Sequence, residues 1–198
     1  MEPKYNKDAF QQRINELDHR SALAFGLSCA ERLYRNYVKF SQDFNWGEPK
    51  RLREILDKIW NYMQTDIIDF SLDDEKEKCE DLMPDTEDFQ TILVSSALDA
   101  SSAVLMLLDY ISNHDAQSIG DISSICNDTV DMYVQELLDI KQNDPYYEAK
   151  ILDHTLMQTE LIRQRENIEH LKKMPLDNST YFLYQEKWRC PKVSNIGL

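Results

Sequence analysis

Glycine and proline are scarce in this chain, four and six among 198 residues. With so few breakers and few alternating Val/Thr runs, a sheet protein is disfavoured and long helices are expected. Cysteine is sparse too. Cys29, Cys79, Cys126 and Cys190 lie 50, 47 and 64 positions apart, so no C-x-x-C pair exists for zinc or redox work, and reduced thiols in the cytoplasm are the expectation. Basic residues are outnumbered, 22 against 36 acids, for a net charge of -14; a phosphate backbone would be repelled, so no nucleic-acid partner is expected. Met1 to Asn6 lacks the apolar core of a secretory signal. The most apolar run, 92–108, is seventeen residues long and interrupted by Asp99 and four serines. That is short and wet for a bilayer span, so it reads as a central buried helix with no membrane role. Gly-x-Gly-x-x-Gly, P-loop, His-Glu-x-x-His and Gly-x-Ser-x-Gly motifs are all missing, and nothing in the sequence names a reaction.

What is present is helical periodicity nearly throughout. Phe10, Ile14 and Leu17 mark a short amphipathic helix over 7–18. Ser21 is placed to cap a second helix, whose apolar face runs from Leu23 to Phe44. The turn Asn45-Trp46-Gly47-Glu48-Pro49 separates it from a third helix, with Pro49 in the first turn and Leu52, Ile55, Ile59, Trp60 and Met63 as the buried stripe. Residues 66–88 hold eleven acids against two lysines and read as a surface excursion. Thr86 is placed to cap the apolar helix that follows, up to about Asn113. Further helical stripes cover 115–141 and, after Asn143-Asp144-Pro145, continue to about Lys173 through Tyr147, Ile151, Leu161, Ile162, Ile168 and Leu171. The expectation is all-α: one domain over 1–198, a bundle of six or seven helices, with the acidic excursion at about 66–88 and a mostly irregular C-terminal tail at about 174–198.

The polar groups that could carry chemistry each have a structural alternative. Glu16-Leu17-Asp18-His19 has the Glu-x-x-His spacing of a dimetal bundle, but no second such motif exists, so neither a metal nor another cofactor is expected. In His114-Asp115 the aspartate sits where a helix cap is needed. Asp99 is embedded among Ser95, Ser96, Ser102 and Ala103 in the apolar helix. A buried carboxylate needs a cation or several donors, and Arg32, Tyr34 and Tyr37 are its candidate partners. Asp99 is then either a satisfied internal anchor or a ligand-binding group. His154 and Gln158, one turn apart, are placed to line the same interior. Residues 161–198 carry a charge of +3, opposite to the acidic segment, which could steer self-association.

The stretches "CAERLYRNYVKF", "NWGEP", a helix with Leu56 and Trp60, and "MPDTEDFQTILVSSALDAS" together resemble the YjaG-like family of bacterial proteins, the domain of unknown function 416. The matching positions include Glu31, Arg32, Tyr34, Asn36, Tyr37, Phe40, Gly47, Trp60, Pro84, Asp88, Phe89 and Asp99. The chain departs from the pattern at Arg35, where a proline is common, and in the longer stretch before Ser194. The resemblance implies an all-helical cytoplasmic fold and no established activity. The functional expectation is a protein-interaction or self-associating module, with a homodimer or another protein as partner. The alternative is a small-molecule-binding protein or enzyme with a polar site drawn from Glu31, Arg32, Asn36, Tyr37, Trp60, Asp99 and His154.

Overall fold

The structure, a computed structural model, describes residues 6–141, 143–173, 177 and 180–198. Asn6 caps α1 (Lys7–Asn15) with its side-chain oxygen. Helix α2 (His19–Phe44) starts one turn earlier than the Ser21 cap suggests. The Asp18 carboxylate accepts both the backbone N–H and the hydroxyl of Ser21, and a carboxylate also complements the positive end of the helix dipole. Every residue from Ser21 to Leu33 is buried, so the N-terminal half of α2 is enclosed on all sides. Gly26 permits this enclosure. A Cβ there would stand 2.9 Å from both Leu107 Cδ2 and Ile119 Cδ1, so glycine lets the side chains of α5 and α6 pack directly on the α2 backbone without shifting.

Helix α3 (Pro49–Thr65) follows the corner. Asn45 terminates α2 in the left-handed conformation, and Gly47 has φ +77 with Tyr37 Oη only 2.6 Å from where its Cβ would be. Phe40, Phe44, Trp46 and Phe89 pack around this turn at centroid separations of 4.9–5.9 Å, mostly edge to face. The corner is therefore a packed structural turn. Helix α4 (Leu72–Glu80) lies in the acidic segment, which is less of a surface excursion than its charge suggests. Cys79 and Leu82 enter the core, the Tyr37 hydroxyl donates to Leu82 O, and buried Glu75 is held by Lys58 and Lys78.

Thr91, not Thr86, caps α5 (Ile92–Asn113); Thr86 lies in a separate 3-10 turn. Among the described residues α5 is the one helix long and apolar enough to cross a bilayer, and half of that stretch is buried here, mainly against α2, α4 and α6. Asp115 caps α6 (Ala116–Leu137) as its position predicts. The last long stripe is broken: α7 (Tyr147–Leu152) ends at Asp153, and α8 (Thr155–Lys173) begins after His154, whose Nδ1 accepts the Leu156 N–H. Ile162, expected in the core, is exposed. Part of the tail folds as α9 (Tyr181–Trp188), burying Tyr181, Tyr184 and Trp188; Met174-Pro175, whose proline would stop the helical stripe that runs to about Lys173, lies outside the described residues. Among the described residues the all-α bundle has five long helices, α2, α3, α5, α6 and α8, buttressed by four of nine residues or fewer, more elements than the six or seven expected.

Candidate functional site

The helical spacing of α2 places Ser28, Arg32 and Asn36 on one side, and that side meets α6, α8 and the tail. Arg32 makes a two-pronged contact with Glu160 of α8, Nη2 to Oε1 at 2.6 Å and Nε to Oε2 at 3.1 Å, with both side chains buried. Its Nη1 donates to Ser28 O, and its guanidinium lies 5.4 Å from the Trp188 ring. Burial works against the Arg32 charge, but the Glu160 carboxylate outweighs it and raises the guanidinium pKa well above its ordinary range. Gln164 continues the seam: Nε2 donates to Glu160 Oε1, Ser123 O and Asn127 Oδ1, while its oxygen accepts from the Ser123 hydroxyl. One turn on, Asn167 donates to Ser28 Oγ and Tyr184 Oη.

Two neighbouring clusters are equally occupied. Glu31, with no exposed surface, accepts from Trp60 Nε1 (2.6 Å), Arg53 Nη1 (2.7 Å) and the Cys190 backbone N–H (3.1 Å). Asn36 donates to Asn195 Oδ1, and Asn195 donates to Cys126 O. The candidates Glu31, Arg32, Asn36, Tyr37 and Trp60 therefore converge on a filled interior, and none of them lines a cavity described here. Their charges and donors hold helices together.

Asp99 and His154 do not join them. The Thr129 hydroxyl donates to Asp99 at 2.7 Å, so its partner is on α6 and not Arg32, Tyr34 or Tyr37, which bind Glu160, Pro49 O and Leu82 O. Burial pushes the Asp99 carboxyl up to about 6; Thr129 opposes this and Asp128 adds to it. His154 serves the α7–α8 break. Glu16 pairs with Lys172 instead of sharing a ligand with His19. Cys29 Sγ, Cys126 Sγ and a Glu160 oxygen lie within 4.8 Å of one another, a spacing that could hold a metal ion. All three are enclosed, however, and Glu160 already neutralises Arg32, so a cation there would displace an ion pair.

The open site lies elsewhere, at the far end of the Gln164 chain. A cavity of about 630 Å³ between α6 and the α7–α8 corner is walled by Ile151, Leu152 and Met157, with Asp128, Asp131, Glu148 and Asp153 as its charged groups and no lysine or arginine in its lining. Among the described residues none of these four carboxylates makes an ion pair. Burial, then the Asp131 charge, raises the Asp128 pKa, against Lys7. Asn127 belongs to the same wall. Its oxygen is fixed toward Gln164, which leaves its buried Nδ2 without an acceptor.

The family described as "Protein of unknown function (DUF416)" matches this chain over residues 9–198. The chain belongs to the DUF416 family. An uncharacterized protein of Haemophilus influenzae is 26% identical over 195 residues, 97% of each chain. The uncharacterized protein YjaG of Escherichia coli K12 is 31% identical over 96 residues, 48% of this chain and 49% of that one. The crystal structure of a DUF416 family protein from Shewanella baltica superposes with a TM-score of 0.88 at 25% identity, covering 98% of this chain and 99% of that one. None of these names carries an activity. In this DUF416 chain the acidic cleft has no sequence signature, because its carboxylates come from two segments, α6 and the α7–α8 corner, that only the fold brings together. Glu160, Gln164 and Asn167 left a faint signal: they form a polar stripe at i, i+4 and i+7 on a helix with an apolar face.

Proposed function

We propose that this DUF416 protein is a cytoplasmic interaction module, not an enzyme, whose acidic cleft receives a basic segment of a protein partner. The observation that carries the reading is the concentration of Asp128, Asp131, Glu148 and Asp153 around one cavity with no cation in its lining. Carboxylates left unpaired beside apolar walls attract lysine or arginine side chains and steer their approach. The surroundings favour a peptide over a free ion. Met132, Leu137, Leu138 and Tyr146, close in sequence to the cleft residues, are exposed large apolar side chains that a partner could cover. The net charge of -14 supports a reading without nucleic acid or anionic membrane as partner, and the three buried free thiols suit the cytoplasm.

A second copy of the chain is the other reading. Phe182, Leu183 and Val193 are exposed on a tail that also carries Lys187 and Lys192, the charge and polarity the cleft would accept. The test is fluorescence anisotropy with a labelled peptide alternating lysine and leucine, against the same peptide with glutamate for lysine. The reading expects the basic peptide alone to bind, weakening between 50 and 300 mM salt, with binding lost in Asp131→Asn/Glu148→Gln. Equal binding of both peptides, or no effect of the double substitution, would overturn it. Light scattering on the same proteins identifies the partner as a second copy if a dimer dissociates on that substitution.

A further inference from the structure

Away from the cleft, three helix ends converge. His19 is the first residue of α2, while Asp66 and His114 terminate α3 and α5, both in the left-handed conformation at φ 57 and 56. Between them lies a cavity of about 540 Å³ whose wall includes His19, Tyr62, Asp66, Tyr110 and His114. The Nδ1 atoms of His19 and His114 face each other at 2.8 Å. Of two nitrogens that close, only one can carry a proton between them, or both can offer lone pairs to a third atom.

We propose that His19 and His114 form a binding site for a divalent transition-metal ion of the nickel or copper(II) class. Bond lengths support the choice. At a metal–nitrogen distance of about 2.0–2.1 Å, two donors 2.8 Å apart subtend nearly a right angle, the spacing of neighbouring ligands in a tetragonal site and tighter than a tetrahedral zinc site would set. The tautomer is provided for. Tyr62 Oη stands 3.3 Å from His19 Nε2, so that nitrogen can keep its proton and donate it to the phenol oxygen, leaving Nδ1 free. Stacking on Tyr110, at 4.9 Å and 21°, fixes the imidazole plane. The Tyr110 hydroxyl donates to His19 O, so its oxygen, 3.1 Å from His19 Nδ1, can present a lone pair to the ion. Asp66 supplies the negative charge in the wall, and its field already acts on His19. His114 is exposed and therefore reachable from solvent.

Titration calorimetry with Ni²⁺ and electron paramagnetic resonance with Cu²⁺, on the full chain, test the site. One ion per chain is expected, with two imidazole nitrogens in the copper spectrum. His114→Asn, which keeps a residue tolerant of positive φ, should weaken binding at least tenfold, and Asp66→Asn severalfold. Cys126→Ala should change nothing. Unchanged affinity in His114→Asn, loss of binding in Cys126→Ala, or no binding by the parent protein overturns the assignment. If His114→Asn fails to fold, the nitrogen count in the parent spectrum decides alone.

Discussion

The polar seam and the acidic cleft share two helices, α6 and α8, yet they treat charge in opposite ways. In the seam Glu160 of α8 meets Arg32 with two hydrogen bonds and Gln164 with a third. In the cleft Asp128 and Asp131, on α6 only a turn from Asn127 of the seam, face other acids instead. A buried charge must be matched within the protein or it destabilises the fold, whereas a charge at an open wall can wait for a partner. The difference teaches that an ionisable residue in a helical bundle is read by its partners: matched groups position helices, and unmatched ones mark a surface for binding.

The comparison breaks most visibly in the seam. Glu160→Ala strands the Arg32 guanidinium in the interior and should lower stability by about 3–5 kcal/mol in urea unfolding. Arg32→Met combined with Glu160→Leu, which removes both charges, should recover much of that loss; a double variant as unstable as the single one would show that the pair itself drives folding. Trp60→Phe deletes one of three donors to Glu31 while Arg53 and Cys190 N remain, for a loss of about 1–3 kcal/mol.

Asp99 stands between the two regimes, half-matched by one hydroxyl. Its folded pKa, about 6, lies above the ordinary 3.8, so the folded state holds a proton that the unfolded state has lost over that window, and stability falls as pH rises through it. Asp99→Asn should therefore stabilise the protein above pH 6, on the order of 1–2 kcal/mol. The gain should shrink as pH falls toward 3.8 and vanish below, which thermal melts across pH would follow. At the far end, Asp131→Asn/Glu148→Gln should leave stability within about 0.5 kcal/mol of the parent. A large loss in that variant would move the cleft into the structural class.

Much of the fold was legible because α2, α3, α5 and α6 carry clear apolar periodicity. Caps were less so: Asp18 and Ser21, or Thr86 and Thr91, are equally good capping types, and tertiary packing chose between them. The α7–α8 break was hidden because apolar spacing continues from Ile151 to Leu161 while the backbone turns at Asp153 and His154. Glu31, Arg32 and Asn36 stood out in the sequence, but whether such residues ring a pocket or fill an interior depends on what arrives opposite. Glu160, Asn195 and Cys190 arrive from 128 or more positions away, a separation no local pattern records.

Asn195 has one more consequence, and it concerns time. Its side chain joins α2 to α6 through Asn36 and Cys126 O, and the neighbouring Ser194 and Ile196 are buried with it. A ribosome makes every described helix before it makes the residue that fastens α2 to α6, so the emerging bundle holds an open polar gap until late in synthesis. Nascent chains arrested before residue 194 should then be sensitive to protease and held by chaperones, and full chains tethered to the ribosome through an added linker long enough to expose residue 198 should not.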